Sequence, residues 1–284
     1  MKTFKSIIAA ALLFSGTTMA QNIQNLDLTK AKLEKVWETD TSMTTAESVL
    51  YDHDTGTLYV SNIDGAPTKK DGNGFISTLN TDGKVKKLKW ATGLDAPKGM
   101  AILAGKLYVS DIDALVEIDL ASGKILKRYP ITGAGFLNDV AAFGNRVVVS
   151  DSQMGTIHAL ENGKISLLAT DQKGINGLAF NKKGHLFSLD GKGLIMHGAP
   201  NQGGQVLNSK VTGGDGLIIL ENGAFIASRW QGEIYLISQG REKLLLDTKD
   251  QKSNTADIEY IPQDKLVLVP TFFKNKVVAY RLSY

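Results

Sequence analysis

The chain reads NGLAFNKKGHLFS from Asn176 to Ser188: a short apolar run, a polar turn with a glycine, and a second apolar run. This pattern is typical of two short antiparallel strands joined by a tight turn. The same order of features recurs along the chain, and each copy opens with a polar residue before an apolar triplet. The steps between these opening residues are 51, 40, 38, 39 and 42 residues, and the residues are Glu47, Lys98, Asn138, Asn176, Asp215 and Asp257.

A second landmark keeps the same phase. A β-branched or aromatic run follows each opening residue, at steps of 49, 40, 39, 39 and 41 residues, starting at Leu58, Leu107, Val147, Leu186, Phe225 and Leu266. Turn residues then separate two further short runs in the copies. Four short strands in each of six copies predict an all-β fold, a six-bladed β-propeller with four-stranded blades. A two-sheet sandwich is the alternative, but a sandwich does not require a regular period.

The last copy is one strand short, because the chain ends after its third run. A segment without a blade of its own, Lys32–Glu38, precedes the first copy and alternates apolar and charged residues. We therefore predict that it supplies the fourth strand of blade six, which closes the ring and removes an exposed edge. Residues 21–284 are then a single propeller domain.

Residues 1–20 resemble a signal peptide. Lys2 and Lys5 give a positive start, an apolar run covers residues 7–14, and Ala20 ends a small-x-small cleavage pattern. The run is shorter than the roughly 20 residues that span a bilayer. We expect a mature chain that begins at Gln21 and is exported to the periplasm or secreted; a buried first helix is the alternative.

Composition and net charge narrow the classes of partner that the protein could bind. Removing two lysines and no acidic residue with the leader lowers the formal charge from +3 to +1, so nothing favours nucleic acid or a membrane surface as a partner. The chain has no cysteine, which excludes disulfides, thiolate metal sites and a cysteine nucleophile. We expect a small-molecule partner; the oligomeric state stays open.

The opening residues meet around the channel, because the innermost strands of a propeller all run the same way. Glu47, Asn138, Asn176 and Asp215 then place four oxygen donors at one phase. Oxygen ligands select hard cations, so the set predicts Ca²⁺ or another divalent cation. Zinc prefers His and Cys, and no histidine falls at this phase. Ordinary turn chemistry of Asn and Asp before Gly is the alternative.

These residues also carry a resemblance to a known family. Glu47, Asn138-Asp139, Asn176-Gly177-Leu178-Ala179 and Asp215-Gly216-Leu217 resemble the motifs of the gluconolactonase/regucalcin (senescence marker protein) superfamily of six-bladed propellers. The resemblance covers about residues 40–284. It implies one catalytic divalent metal, usually calcium, held by these four residues, and hydrolysis of a small lactone or ester. The family's Glu-Gly-Pro is replaced here by Glu47-Ser48-Val49.

Three residues are candidates for catalysis. The resemblance implies that Asp215 activates water or attacks directly, and Asp257, at the same phase, is a second candidate or a turn acid. Lys98 has no matching ligand in the family; it could stabilise an oxyanion or form a salt bridge in the channel. The chain is therefore predicted to be a metal-dependent hydrolase.

Residues just after the second strand of a blade are predicted to form the rim of the site. Arg229, Trp230 and Phe272 occupy such positions and are expected to line a substrate pocket. An insertion at residues 64–74 lengthens the first copy and is either an overhanging loop or an ordinary surface loop. A non-catalytic binding propeller with a structural metal stays open as an alternative function. A quinoprotein is disfavoured because the chain has only three tryptophans.

Overall fold

The computed structural model describes residues 26–198 and 204–284. In this part of the chain, 24 strands form six four-stranded antiparallel sheets, accompanied by two short 3-10 helices at Leu28–Lys30 and Lys249–Gln251. The predicted all-β, six-bladed propeller is confirmed. The predicted signal peptide, residues 1–20, lies outside the described residues. Within the described ranges, no helix is long and apolar enough to cross a membrane.

The strands follow the predicted phase. The first in the chain, β1 (Lys32–Glu38), belongs to blade six. Blade one contains β2 to β5, at Ala46–Asp52, Thr57–Asn62, Gly74–Leu79 and Val85–Leu94. Blade two contains β6 to β9, at Pro97–Leu103, Lys106–Asp111, Ala114–Asp119 and Ile125–Pro130. Blade three contains β10 to β13, at Leu137–Phe143, Arg146–Asp151, Thr156–Glu161 and Lys164–Ala169.

The other three blades have shorter inner strands. Blade four contains β14 to β17, at Leu178–Phe180, Leu186–Asp190, Gly193–Met196 and Gln205–Asn208. Blade five contains β18 to β21, at Leu217–Ile219, Phe225–Arg229, Glu233–Ser238 and Arg241–Asp247. Blade six contains β22 to β24, at Glu259–Ile261, Leu266–Pro270 and Val277–Ser283, together with β1.

The ring closes as predicted. β1 pairs antiparallel with β24, from Lys32 opposite Ser283 to Glu38 opposite Val278. Buried apolar side chains fill each boundary between neighbouring blades; Leu282 of blade six, for example, belongs to the same cluster as Ile226 of blade five. The core is therefore a series of inter-blade layers, and every blade needs both neighbours to bury its faces.

Candidate metal and catalytic site

β-Bulges present three of the opening residues to the channel. Pairing between the first and second strands of a blade shifts register between Ala46 and Ser48, between Pro97 and Met100, and between Leu137 and Val140. Glu47, Lys98 and Asn138 lie within these shifts. A bulge bends the strand and re-aims a side chain, which is why bulges are common beside active sites.

The other three opening residues precede their strands. A backbone hydrogen bond holds each of them. The amide of Asn176 donates to Leu189 O (2.9 Å), that of Asp215 to Ser228 O (2.8 Å), and that of Asp257 to Glu47 O (3.0 Å). The last bond joins blade six to blade one. The six opening residues therefore start the inner strands at one face of the ring, as the phase of the repeat predicts.

Two of the predicted ligands touch directly. The side-chain amide of Asn176 donates to Oδ1 of Asp215 at 2.5 Å, and Glu47 lies close enough to Asp215 for their charges to interact. Asn138 donates to Ser152 Oγ at 3.3 Å. In the described part of the chain, no donor reaches the buried atoms Oε2 of Glu47 and Oδ1 of Asn176. A buried oxygen without a partner is costly, at about 1–3 kcal/mol. These oxygens fit a bound cation.

The pKa shifts of the buried carboxyls also favour a cation at this site. Burial raises the pKa of Glu47 well above its usual range, the carboxylates of Asp215 and Asp257 raise it further, and Lys98 opposes them. Burial also raises the pKa of Asp215 to about 7, against the lowering effect of the Asn176 amide. Two carboxyls buried together can both be ionised only beside a compensating charge. Among the described residues, no group of three or more His, Cys, Asp or Glu side chains is placed to hold a metal ion, so a cation here would need amide oxygens among its ligands.

Lys98 makes polar and aromatic contacts in place of a salt bridge. Its side chain is 1% exposed, and Nζ donates to Ala96 O at 3.1 Å and lies 4.3 Å from the centre of the Phe136 ring. No carboxylate of the described ranges lies within salt-bridge distance of Nζ. Burial lowers the pKa of Lys98, and the charges of Glu47 and Asp111 oppose that shift. The Lys98 ammonium therefore has N–H groups that no protein acceptor uses in the described part of the chain.

Asp257 lies at the predicted phase, but its carboxyl is engaged. Ser48 Oγ donates to its Oδ2 at 2.5 Å, and Asp139 forms a side-chain hydrogen bond with it. Asp139 also accepts the amides of Val140 (2.6 Å) and Leu178 (2.5 Å). Burial raises the pKa of both carboxyls, and the charge of Asp257 raises that of Asp139 further. These contacts favour a role for Asp257 in joining blades.

The predicted pocket residues lie together at the ends of the second strands of blades five and six. Arg229 pairs with Glu233 at 3.1 Å, and the ring of Trp230 lies 5.5 Å from that of Phe272. The 64–74 insertion lies between β3 and β4, as expected. The insertion contacts blade two through an ion pair between Lys70 Nζ and Asp113 Oδ2, which are 2.6 Å apart.

The sequence analysis missed a carboxyl in the central channel. A cavity of about 420 Å³ lies between the inner strands and is walled mainly by apolar side chains. Glu259 lines it, at a position where the other five blades have Val49, Met100, Val140, Leu178 and Leu217. That break in an apolar series was the signal that could have revealed it. The Glu259 carboxyl accepts the amides of Tyr260 (2.7 Å) and Tyr51 (3.1 Å).

Glu259 predicts a pH dependence of stability. Burial raises its pKa to about 7, against the two amides, whereas the unfolded carboxyl titrates near about 4.3. The contribution of Glu259 to the stability of the folded state is fully present below about pH 4 and is lost as the pH rises towards 7. We expect the free energy of unfolding, measured in chelator, to fall between pH 4.5 and 7.5 by about 1–3 kcal/mol less in Glu259→Gln than in wild type. Glu221→Gln, an exposed carboxyl, is the control; parallel curves for Glu259→Gln and wild type would contradict this assignment.

No protein-family model matches the sequence, and no curated protein matches it. Solved structures do match over 89% of the chain. A gluconolactonase from Xanthomonas campestris has a TM-score of 0.64 at 16% identity, with 90% of that chain covered. A putative gluconolactonase matches with a TM-score of 0.65 at 15% sequence identity, and 92% of that chain is covered. A catalytically inactive virginiamycin B lyase from Staphylococcus aureus, solved with quinupristin, matches with a TM-score of 0.61 at 13% identity, and 99% of that chain is covered. The predicted resemblance to gluconolactonase-type propellers is thus confirmed for the fold, which this chain shares with these proteins.

Proposed function

We propose that the protein is a hydrolase that opens small lactones or esters with the help of a divalent cation, calcium by preference. Glu47, Asn138, Asn176 and Asp215 would hold the cation. The observation that carries the proposal is the pair of buried oxygens, Glu47 Oε2 and Asn176 Oδ1, that no donor reaches within the described residues. Gluconolactonases among the proteins of the same fold support it.

The donor set favours calcium on chemical grounds. Two carboxylates balance a divalent charge, and two amides add neutral oxygen donors. Calcium accepts six to eight oxygens, so four protein ligands leave positions for a substrate. When bound, the cation supplies Lewis-acid polarisation of the substrate carbonyl.

The side chains supply the remaining chemistry. Asp215 would take the proton of the attacking water as a general base. The Asn176 amide fixes that carboxylate by donating to Oδ1. Lys98 donates to the oxygen that becomes negative, because its only protein acceptor in the described ranges is Ala96 O. Burial of Glu47, which is 4% exposed, strengthens each of these interactions.

Purified protein tests the proposal on a panel of lactones and aryl esters, in calcium and in chelator. We expect turnover only with the cation, together with a higher thermal midpoint, because a ligand that binds only the native state stabilises it. Glu47→Gln keeps the shape of the side chain but should lose both effects. A midpoint that rises with calcium without any turnover would favour the non-catalytic binding propeller. If calcium changes neither quantity, the metal proposal fails, and the hydrolase with it.

The site of action is also a proposal. The pattern of residues 1–20 supports export, so the reaction would take place in the periplasm or outside the cell. Fractionation of cells that express the full chain, with a Lys2→Glu, Lys5→Glu variant as the control, tests this. Protein that stays cytoplasmic at full length would contradict it.

A further inference from the structure

A buried apolar cluster lies beside the start of the first inner strand, which carries Glu47. Its members follow the second strand or precede the first strand of blades six, one and two, and are Ile63, Ala96, Ile112, Ala256 and Phe272. The amide of Phe272 donates to Ala46 O at 3.1 Å, directly beside Glu47 in the chain. The cluster is therefore fixed to the strand that carries a predicted metal ligand.

Two members of this cluster have unfavourable backbone conformations. Ile112 has φ 59° and Phe272 has φ 48°, in the left-handed region that β-branched and bulky residues avoid. Glycine or asparagine would be the ordinary residue at such a position. Strain of this kind is concentrated at functional sites, where the fold holds a side chain in place. Ile112 and Phe272 are thus two bulky apolar side chains held at turn positions that disfavour them.

Exposed aromatic rings extend the cluster to the solvent. Trp230 is 39% exposed and Phe273 is 66% exposed, which is unusual for such large apolar side chains in contact with each other. Their rings pack edge to face at 5.9 Å, and the Phe272 ring lies 4.8 Å from that of Phe273. The nearby charge of Arg229 is paired with Glu233. We call Trp230, Phe272 and Phe273 the aromatic rim.

We propose that the aromatic rim binds an alkyl or aryl arm of the substrate, so that the protein acts on apolar lactones or esters rather than on polyhydroxylated sugar lactones. The reaction part rests on the proposed function; binding of the apolar arm does not. The rim is continuous with the cluster beside Glu47, and the charge of Arg229 next to it belongs to an ion-pair network with Glu233, Lys249 and Asp247. A polyhydroxylated ring would leave its hydroxyl groups without partners against such a surface.

Turnover provides the first test. We expect wild type to have a higher kcat/KM for γ-decalactone than for γ-butyrolactone or δ-gluconolactone. Phe273→Ser should lower that preference for the alkyl lactone about tenfold, because an exposed ring is removed from the contact. Leu167→Ser is the matched control, since Leu167 is 57% exposed on the outer strand of blade three. A preference for δ-gluconolactone, unchanged in Phe273→Ser, overturns the inference and leaves the hydrolase intact.

Binding provides a test that needs no turnover. 5-Hexyl-2-pyrrolidinone keeps the ring and alkyl chain of γ-decalactone but resists hydrolysis. Titration should change the tryptophan fluorescence of wild type, leave that of Trp230→Phe unchanged, and require about tenfold more lactam in Phe273→Ser. Lactam binding without hydrolysis of any lactone would sustain the rim and reject the proposed function. Equal affinities in wild type and Phe273→Ser reject the rim.

Discussion

The Asp215→Asn protein is expected to lose calcium-dependent lactone hydrolysis by roughly 10²–10⁴-fold in kcat. Asparagine cannot take a proton from water, and it also removes one of the two carboxylates that balance a divalent cation. The substitution should not disrupt the fold, because the backbone bond to Ser228 is kept and the carboxyl is costly to bury in the absence of metal. In chelator, the variant should therefore be at least as stable as wild type.

Turnover and thermal midpoint must be measured together, with and without calcium. Wild type should gain about 2.7 kcal/mol of stability at a calcium concentration 100 times Kd, and Asp215→Asn should gain much less. Asp257→Asn is the comparison, since that carboxyl bonds to Ser48 and Asp139. It should keep the calcium shift. Lower turnover in the folded Asp257 variant would assign this residue to the substrate, and unchanged turnover would assign it to blade closure. Full activity of Asp215→Asn would reject Asp215 as the base.

Removal of the first strand is expected to prevent stable folding. A chain that begins at Thr39 lacks β1 and leaves the edge of β24 unpaired. It also loses Leu26, Leu28, Ala31 and Leu33 from the layer between blades five and six. Burial of each large side chain contributes about 1.5–3 kcal/mol, so the total approaches the 5–15 kcal/mol that stabilises a typical domain.

A chain that begins at Leu26 is the matched control, and it should unfold in one cooperative transition. The shorter chain should aggregate or lack such a transition in thermal and urea melts. A synthetic peptide of residues 26–38 added during refolding should restore the transition, because β1 is joined to the rest of blade six by non-covalent contacts. A cooperative midpoint in the shorter chain within a few degrees of the control would show that ring closure contributes little.

The sequence was sufficient for the architecture. Two landmark series in one phase predicted the blades, and the missing last strand predicted the place of Lys32–Glu38. The fourfold oxygen set at Glu47, Asn138, Asn176 and Asp215 followed from the same phase. These features were readable because turn residues, strand runs and repeat length are local properties of the chain, and a propeller converts equal phase into equal position around its axis.

Only the tertiary structure decided what each side chain contacts. The sequence did not reveal the bulges at Glu47, Lys98 and Asn138, the bond between Asp139 and Asp257, or the contact of Lys98 with Phe136 in place of a salt bridge. The bulges arise from strand pairing within a blade, the Asp139–Asp257 contact joins blades three and six, and Lys98 meets Phe136 of the neighbouring blade. A one-residue shift in a strand turns its side chains to the other face. Phase alone could therefore bring the polar residues to the channel, but the packing of the chain determined which buried oxygens no donor reaches in the described ranges.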